Sequence, residues 1–469
     1  MRVWQRKSDD VLLTDAASGE VVTAAEVSDL ANRFAESAAG VALLFADLSL
    51  LSLTRFLALV EARIPVVLLD ASMTFDASAR LLSIYSPELV LTPDAESPAL
   101  HKLRGGEIRA AGEWVSRRKA RTMPNPELAV LLTTSGSTGS PKLVRLSRDN
   151  ILSNARAISD SLSLRPSDRV VTSLPIFYSF GMSLVTSHVV AGSSVVVTSR
   201  SVLEREFWSQ MAENGITHFA GVPPTYAMLK RLRFRDRELP HLRALLQAGG
   251  RLAPELIAHF AEDSERKGRQ FFVMYGQTEA SPRMACLPPE RLPQKLGSVG
   301  LALKGGTFRI VGEDGRELPT GQAGEIIYEG PNVMMGYAQS REDLARGDEQ
   351  AGILRTGDLG YLDEDDFLYV TGRTKRIAKV SGVRVSLDDV EAMLASIAPV
   401  AVVEAPDDGI VVYTTHCDQV VVDDARRQLA RDLAAALPLI KVNRVTDLPL
   451  LPSGKTDYGR LKERARGGE

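Results

Sequence analysis

LLTTSGSTGSPK, residues 131–142, places six hydroxyl side chains, two glycines and one lysine directly behind an apolar strand. Gly136 and Gly139 reach backbone conformations closed to other residues, so successive N–H groups can converge on one anion. Thr134, Ser135, Ser137 and Thr138 add neutral hydroxyl donors, and Lys142 adds a point charge. Such a loop is suited to holding phosphate. It is not the common P-loop, whose lysine follows the last glycine directly, because Ser140 and Pro141 stand between Gly139 and Lys142. For this stretch taken alone, a flexible Ser/Gly surface loop is the plain alternative.

Outward from the loop, apolar runs at 41–46, 65–69, 128–133, 169–173, 194–198, 244–247 and 271–274 alternate with segments of helical length. Among those segments, 50–62 and 148–161 read as helices, the second with Ser147 as its N-cap. The alternation predicts an α/β fold of layered sheets with largely parallel strands. Several motif-bearing segments then fall at the C-terminal ends of strands, where open α/β sheets bind ligands. From about 297 the texture changes to short strands and Gly-rich turns, which predicts a small β-barrel-like section. A boundary is expected near 372–376, followed by a small α+β domain with strands at 383–385, 400–404 and 410–414 and helices at 387–396 and 423–436.

With 469 residues the chain exceeds what one hydrophobic core serves. A composition of 44% hydrophobic and 25% charged residues, with a net charge of -3, gives no field for nucleic acid or a membrane surface. The most apolar stretch, 41–60, is interrupted by Asp47 and Arg55, so no membrane span is expected. The N-terminal MRVWQRKSDD lacks the apolar core of a signal peptide, and the two cysteines, Cys286 and Cys417, form no metal pattern. A cytoplasmic location is expected. None of the six histidines falls into a ligand spacing for a transition metal.

Five further segments bear on the phosphate reading. YGQTE (275–279) follows a strand and ends in a carboxylate, Glu279, that could hold magnesium against phosphate oxygens. RTGDLG (355–360) offers Asp358 in a turn, suited to accepting two ribose hydroxyls. GRTKR (372–376) and KVSGVR (379–384) lie at the expected domain boundary, and LPLLPSGK (448–455) carries Lys455 on a Pro/Gly-rich loop. Singly, each has a plain explanation as a turn, a cap or a solvated side chain. In this order and over this span the chain resembles the adenylate-forming superfamily of acyl-CoA synthetases, peptide-synthetase adenylation domains and luciferases.

The resemblance runs from about Leu128 to Leu461 and implies a large N-terminal domain, 1–374, with a small mobile α+β C-terminal domain, 375–469, rotating about a hinge at Lys375. It implies that Thr134, Ser135, Gly136, Ser137, Thr138, Gly139 and Lys142 embrace the β and γ phosphates of ATP. Tyr275 would stack on adenine beside Gly276, Thr278 would bond the α-phosphate, and Glu279 would hold Mg2+. Asp358 would bind the ribose with Arg373 assisting, and Gly249 and Gly250 would line the nucleotide and acyl pockets. Lys455 would bridge the acid's carboxylate and the α-phosphate, the main electrostatic device of the first step. Gly382 would line the tunnel for pantetheine, carried either by CoA or by an acyl carrier protein. The acyl pocket would be walled by Tyr178, Phe180, Gly221, Ala248, Met274 and Ser281, with Phe219, Ala220 and Val222 nearby.

Three positions depart from the family's usual pattern: Tyr178 stands where histidine is frequent, Leu143 where glycine is, and Lys375 where aspartate is common. The stretch 174–190 contains no acidic residue to hold an ammonium, which disfavours an α-amino acid. A mainly apolar wall suits an aromatic or medium-chain acid. The reading is thus a ligase that adenylates a small carboxylic acid and passes it to a pantetheine thiol. CoA is favoured as acceptor because no carrier domain is fused, although the regions before the loop and after the hinge look trimmed. The alternatives are an adenylation enzyme loading a carrier protein or an amine, and a non-catalytic nucleotide-binding relative.

Overall fold

In the computed structural model, residues 4, 6–37, 40–73, 75–94, 100, 103, 105–110, 112–117, 122–133, 142–373, 376–380, 383–394, 399–405, 409–416, 418–433, 436–451 and 456–467 are described. Two large sheets dominate. One has eight strands, in the order Gly336–Ala338, Leu143–Ser147, Leu128–Thr133, Val66–Asp70, Ala42–Ala46, Leu89–Leu91, Glu113–Ser116 and Gly106–Ala110. The other has nine and carries, side by side and parallel, His218–Gly221, Ala244–Gln247 and Gln270–Gly276.

Both faces of the central strands are covered, which is why they read as unbroken apolar runs instead of alternating ones. Leu44, Leu68 and Val130 point into the layer between the sheets, while Leu43, Val67 and Leu131 point to the opposite core. The inter-sheet layer also takes Val195 and Val197 from the second sheet and Ile151, Met182 and Val185 from the helices Arg148–Leu162 and Ser179–Val190. Helix Arg148–Leu162 starts where expected. Ser147 caps it by accepting from Asn150 N at 3.0 Å, and Asn150 Oδ1 accepts in return from Ser147 N at 2.9 Å, a reciprocal pair.

The sequence concealed one connection. Behind the Ser/Gly run the chain does not enter a helix directly but returns as the strand Leu143–Ser147, antiparallel to Leu128–Thr133, with Thr133 opposite Leu143. All five of its residues are buried. Residues 134–141 therefore link two neighbouring antiparallel strands, which accounts for the spacing unlike a P-loop. The sheets are also more mixed than expected: Gln270–Gly276 and Arg283–Leu287 pair antiparallel, as do Leu89–Leu91 and Glu113–Ser116.

The β section takes the form of a four-stranded antiparallel sheet, Thr307–Val311, Gly324–Glu329, Ile353–Leu362 and Leu368–Arg373. That sheet ends at Arg373. Beyond it lie a strand pair, Ile377–Val380 with Val383–Ser386, and a separate three-stranded sheet, Val400–Glu404, Ile410–Thr414 and Ile440–Arg444. The helices Leu387–Leu394 and Gln419–Asp432 complete this α+β unit, with Val402, Val412 and Leu429 in one core. The second helix begins four residues earlier than 423, because Asp418 accepts from Val420 N at 2.9 Å and caps it. Among the described residues no helix is long and apolar enough to cross a membrane.

Candidate active site

The register of the second sheet places Gly221 opposite Gln247, and Gln247 opposite Val273. Three strand ends therefore present Gly221, Ala248 with Gly249, and Met274 through Gly276 on one side. Gly249 turns the chain with φ +86°, and a Cβ there would stand 2.4 Å from Tyr178 Oη and 3.0 Å from Val222 Cγ1. Only glycine fits so close to the tyrosine. Gln247 closes the turn by donating to Gly250 O at 2.9 Å. At Gly276 a Cβ would come 2.0 Å from Pro282 O, so the segment after it can fold back onto the strand Arg283–Leu287.

Asp358 is the centre of the polar cluster. It lies on Ile353–Leu362, opposite Arg373 in the register, and is 1% exposed. Its Oδ2 accepts from the Tyr275 hydroxyl and, at 2.6 Å, from Gln277 Nε2, while Oδ1 lies 2.8 Å from Arg373 Nε. Gln277 Nε2 also donates to Thr356 O at 2.9 Å, and Thr356 Oγ1 accepts from Asp358 N at 3.0 Å. Burial, reinforced by the Asp358 charge, raises the Tyr275 pKa well above the ordinary phenol value, so its hydroxyl stays a donor. Arg373 keeps a side-chain exposure of 56%, so the acid is buried while its cation faces solvent.

A second group lies at the other end of YGQTE. Thr278 Oγ1 is 3.1 Å from Ser179 Oγ, which ties this segment to the start of helix Ser179–Val190. Glu279 Oε1 accepts from the Tyr337 hydroxyl at 3.0 Å, and Lys142 Nζ lies 3.2 Å from the centroid of the Tyr337 ring. Lys142, Tyr337 and Glu279 thus form one chain of contacts. Among the described residues no group of three or more His, Cys, Asp or Glu side chains could hold a metal by itself. A lone carboxylate sharing the ion with phosphate oxygens suits magnesium, which binds through one or two carboxylates and keeps its remaining oxygen ligands.

The apolar wall is also assembled. Phe180, Ala220, Val222, Ala248 and Met274 belong to one buried cluster, with Tyr178 packed against it. Tyr178 and Phe180 meet edge to face at 6.3 Å. Ser281 stands apart, because its hydroxyl donates to Asn332 O at 2.8 Å. Arg283 stands within the wall and was not anticipated there. Its guanidinium meets Met274 Sδ and, at 3.2 Å, Ser183 Oγ, with Cζ 4.7 Å from the Phe180 centroid.

Of the residues picked from sequence, Thr134, Ser135, Gly136, Ser137, Thr138, Gly139, Lys375, Gly382 and Lys455 lie outside the described residues. The structure brings together Tyr275, Asp358 and Arg373 on one side and Lys142 with Glu279 on the other. Gln277, Thr356, Tyr337 and Arg283 were missed as site residues. Gln277 sat inside a quoted motif and could have been found there; Tyr337 and Arg283 carry no local signal.

The chain is 30% identical over 411 residues to the sulfoacetate–CoA ligase of Cupriavidus necator, covering 84% of this chain and 77% of the relative. It is 27% identical over 506 residues to 4-coumarate–CoA ligase 5 of Oryza sativa subsp. japonica, covering 98% and 93%. The fold superposes with a TM-score of 0.80 on o-succinylbenzoate CoA synthetase from Bacillus subtilis in complex with its acyl-adenylate intermediate, at 26% identity and 98% coverage of both chains. The AMP-binding enzyme family matches residues 2–338, and the chain belongs to that family.

Proposed function

We propose that this chain is an AMP-forming acid–CoA ligase: a carboxylate attacks the α-phosphorus of ATP, pyrophosphate leaves, and a pantetheine thiol then displaces AMP to give a thioester. The observation that carries the reading is the buried Asp358 carboxylate, held by Tyr275 and Gln277 from one segment and by Arg373 from another. A buried carboxylate with a solvent-facing arginine beside it suits a ribose whose hydroxyls can donate. Glu279, four residues after Tyr275 and held by the Tyr337 hydroxyl, would share magnesium with the phosphates. The ion supplies charge compensation on phosphate oxygens.

Lys142 and residues 134–139 would grip the β and γ phosphates, and Lys455 would stabilise charge developing between the carboxylate and the α-phosphate. Residues 1–374 and 375–469 act as two bodies hinged at Lys375, a division supported by the end of the four-stranded sheet at Arg373. Gly382 then serves the thiol step. CoA is taken as the thiol donor, with the phosphopantetheine of a carrier protein as the other acceptor class. A cytoplasmic setting, where ATP and CoA are both available, fits a chain with a free, buried Cys286.

The test is release of pyrophosphate and AMP over a panel of aromatic, aliphatic and amino acids, with and without CoA. Release that depends on an acid and accelerates with CoA is the expected result. Release indifferent to CoA would assign a carrier protein or an amine as acceptor. No release with any acid would overturn the reading.

A further inference from the structure

Among the described residues four arginine side chains are buried, and their surroundings differ. Arg55, 5% exposed, donates to Thr92 O at 2.7 Å and feels the charge of Glu113. Arg145, 0% exposed, donates to the carbonyls of Tyr337, Met335, Arg346 and Gly347 and pairs with Glu349. Arg341 pairs with Glu88 at 2.9 Å and donates to the carbonyls of Tyr85, Ser86 and Thr122. Arg283, 2% exposed, has a thioether and a hydroxyl as its acceptors, and among the described residues no carboxylate pairs with it. Both acceptors are neutral, and sulfur is a weak one.

Burial lowers the Arg283 pKa to about 10, which leaves it protonated at neutral pH. Removing a cation from water costs several kcal/mol, and buried charges are as a rule paired. The faces of Phe180 and two neutral acceptors offset only part of that cost. A missing counter-charge is the natural completion. The position is also informative. Arg283 opposes Gly276 across the strand pair, one step from the nucleotide-facing segment, and its guanidinium touches Phe180 and Met274 of the acyl wall. Ser183 holds it there, accepting from Arg283 while donating to Phe180 O at 2.8 Å. None of Tyr178, Phe180, Gly221, Ala248 or Met274 is acidic, so nothing in the wall would repel an incoming anion.

We propose that Arg283 is the counter-ion for a second anionic group on the acid substrate, distal to the carboxylate that is adenylated. The chain then prefers acids carrying a further carboxylate or sulfonate over monoanions of the same shape. This rests on the acid–CoA ligase reading and narrows its substrate class.

The test uses matched acids: succinate with butanoate, phthalate with benzoate, and 3-sulfopropanoate with butanoate. Acid-dependent pyrophosphate release and thermal stabilisation are measured for the wild type, Arg283→Met and Arg283→Lys. In the wild type, kcat/KM for at least one dianion should exceed that of its monoanionic partner by about 100-fold or more. Arg283→Met should lower kcat/KM for the dianions far more than for the monoanions and so collapse that ratio, and Arg283→Lys should retain part of it. Equal turnover of every pair by the wild type, or equal loss of both members in Arg283→Met, would overturn the proposal. Should Arg283→Met not fold, the wild-type ratio and Arg283→Lys decide. If no acid releases pyrophosphate, the ligase reading fails, and stabilisation then decides Arg283 alone: a shift selective for dianions supports it, and equal shifts overturn it.

Discussion

Lys142 Nζ lies 3.2 Å from the centroid of the Tyr337 ring, and the same tyrosine donates its hydroxyl to Glu279 Oε1 at 3.0 Å. The pairing of Gly336–Ala338 with Leu143–Ser147 places Ala338 opposite Leu143, so Tyr337 arrives beside the lysine through the sheet itself. A cation over an aromatic face is worth about 0.5–2 kcal/mol. That is enough to park the lysine and small enough for a nucleotide phosphate to draw it away.

Tyr337→Phe keeps the ring for Lys142 and removes only the hydroxyl. A hydrogen bond to a charged group contributes about 1.5–3 kcal/mol, so the magnesium concentration for half-maximal pyrophosphate release should rise by roughly 10-fold or more. The KM for the acid should barely change. A magnesium titration checks this, and an unaltered magnesium dependence would remove Tyr337 from the positioning of Glu279.

Gly249→Ala forces a side chain into a backbone with φ +86° and onto the Tyr178 hydroxyl. We expect a stability loss of about 1–2 kcal/mol and a rise in the KM for the acid greater than that for ATP. Adding Tyr178→Phe removes the hydroxyl atom in the way and should recover part of both losses. Strict additivity of the two substitutions would show that the contact carries no energy.

Asp358→Asn leaves the shape and removes the charge that faces Tyr275, Gln277 and Arg373. The new amide must also meet the Gln277 amide, a donor against a donor. ATP affinity should fall roughly 10- to 100-fold, consistent with about 1.4–2.7 kcal/mol for a buried charged acceptor. Calorimetry reads the change, and undiminished ATP binding would take the ribose role away from Asp358.

Acid should destabilise the fold through a buried pair of imidazoles. His188 and His218 meet edge to face at 5.3 Å, near Asp168 and Arg243, and burial lowers the pKa of each to about 3. His188 Nδ1 lies 2.8 Å from Leu184 O, and its Nε2 has no partner among the described residues. Because both folded pKa values lie below the unfolded value near 6.5, their contribution is complete above pH 6.5 and is lost as pH falls towards 3. By pH 5 the loss is roughly 2 kcal/mol for each imidazole. Urea unfolding at pH 7.5 and 5.0 measures it, and His188→Leu should shrink the difference. An undiminished difference in that variant would exclude His188 as a source.

Much of this site could be read before any coordinates, for a physical reason. Residues 275–279 and 355–360 carry their chemistry in consecutive positions, and the strands beneath them are continuous apolar runs because both faces are covered. Tyr337 and Arg283 were invisible because their meaning is tertiary. Tyr337 matters through a strand pairing with residues 143–147, nearly two hundred positions away, and Arg283 through the absence of an acid that only packing can reveal. The strand Leu143–Ser147 was hidden for a related reason: its Ser147 also caps a helix, and the cap was the louder signal.

The central claim is that one chain makes an acyl-adenylate and then hands the acyl group to a thiol. The direct test is a rapid-quench single turnover with ATP labelled in the α-phosphate, using the wild type, Lys455→Ala and Gly382→Leu. Without CoA the wild type should build up acyl-AMP with matching pyrophosphate, and added CoA should convert it to thioester and AMP in equal amounts. Lys455→Ala should slow the first step about 100- to 1000-fold while still binding ATP, and Gly382→Leu should form the adenylate but stall at the thiol. An adenylate that never forms in the wild type, or one that forms and stays inert to CoA, would contradict the account.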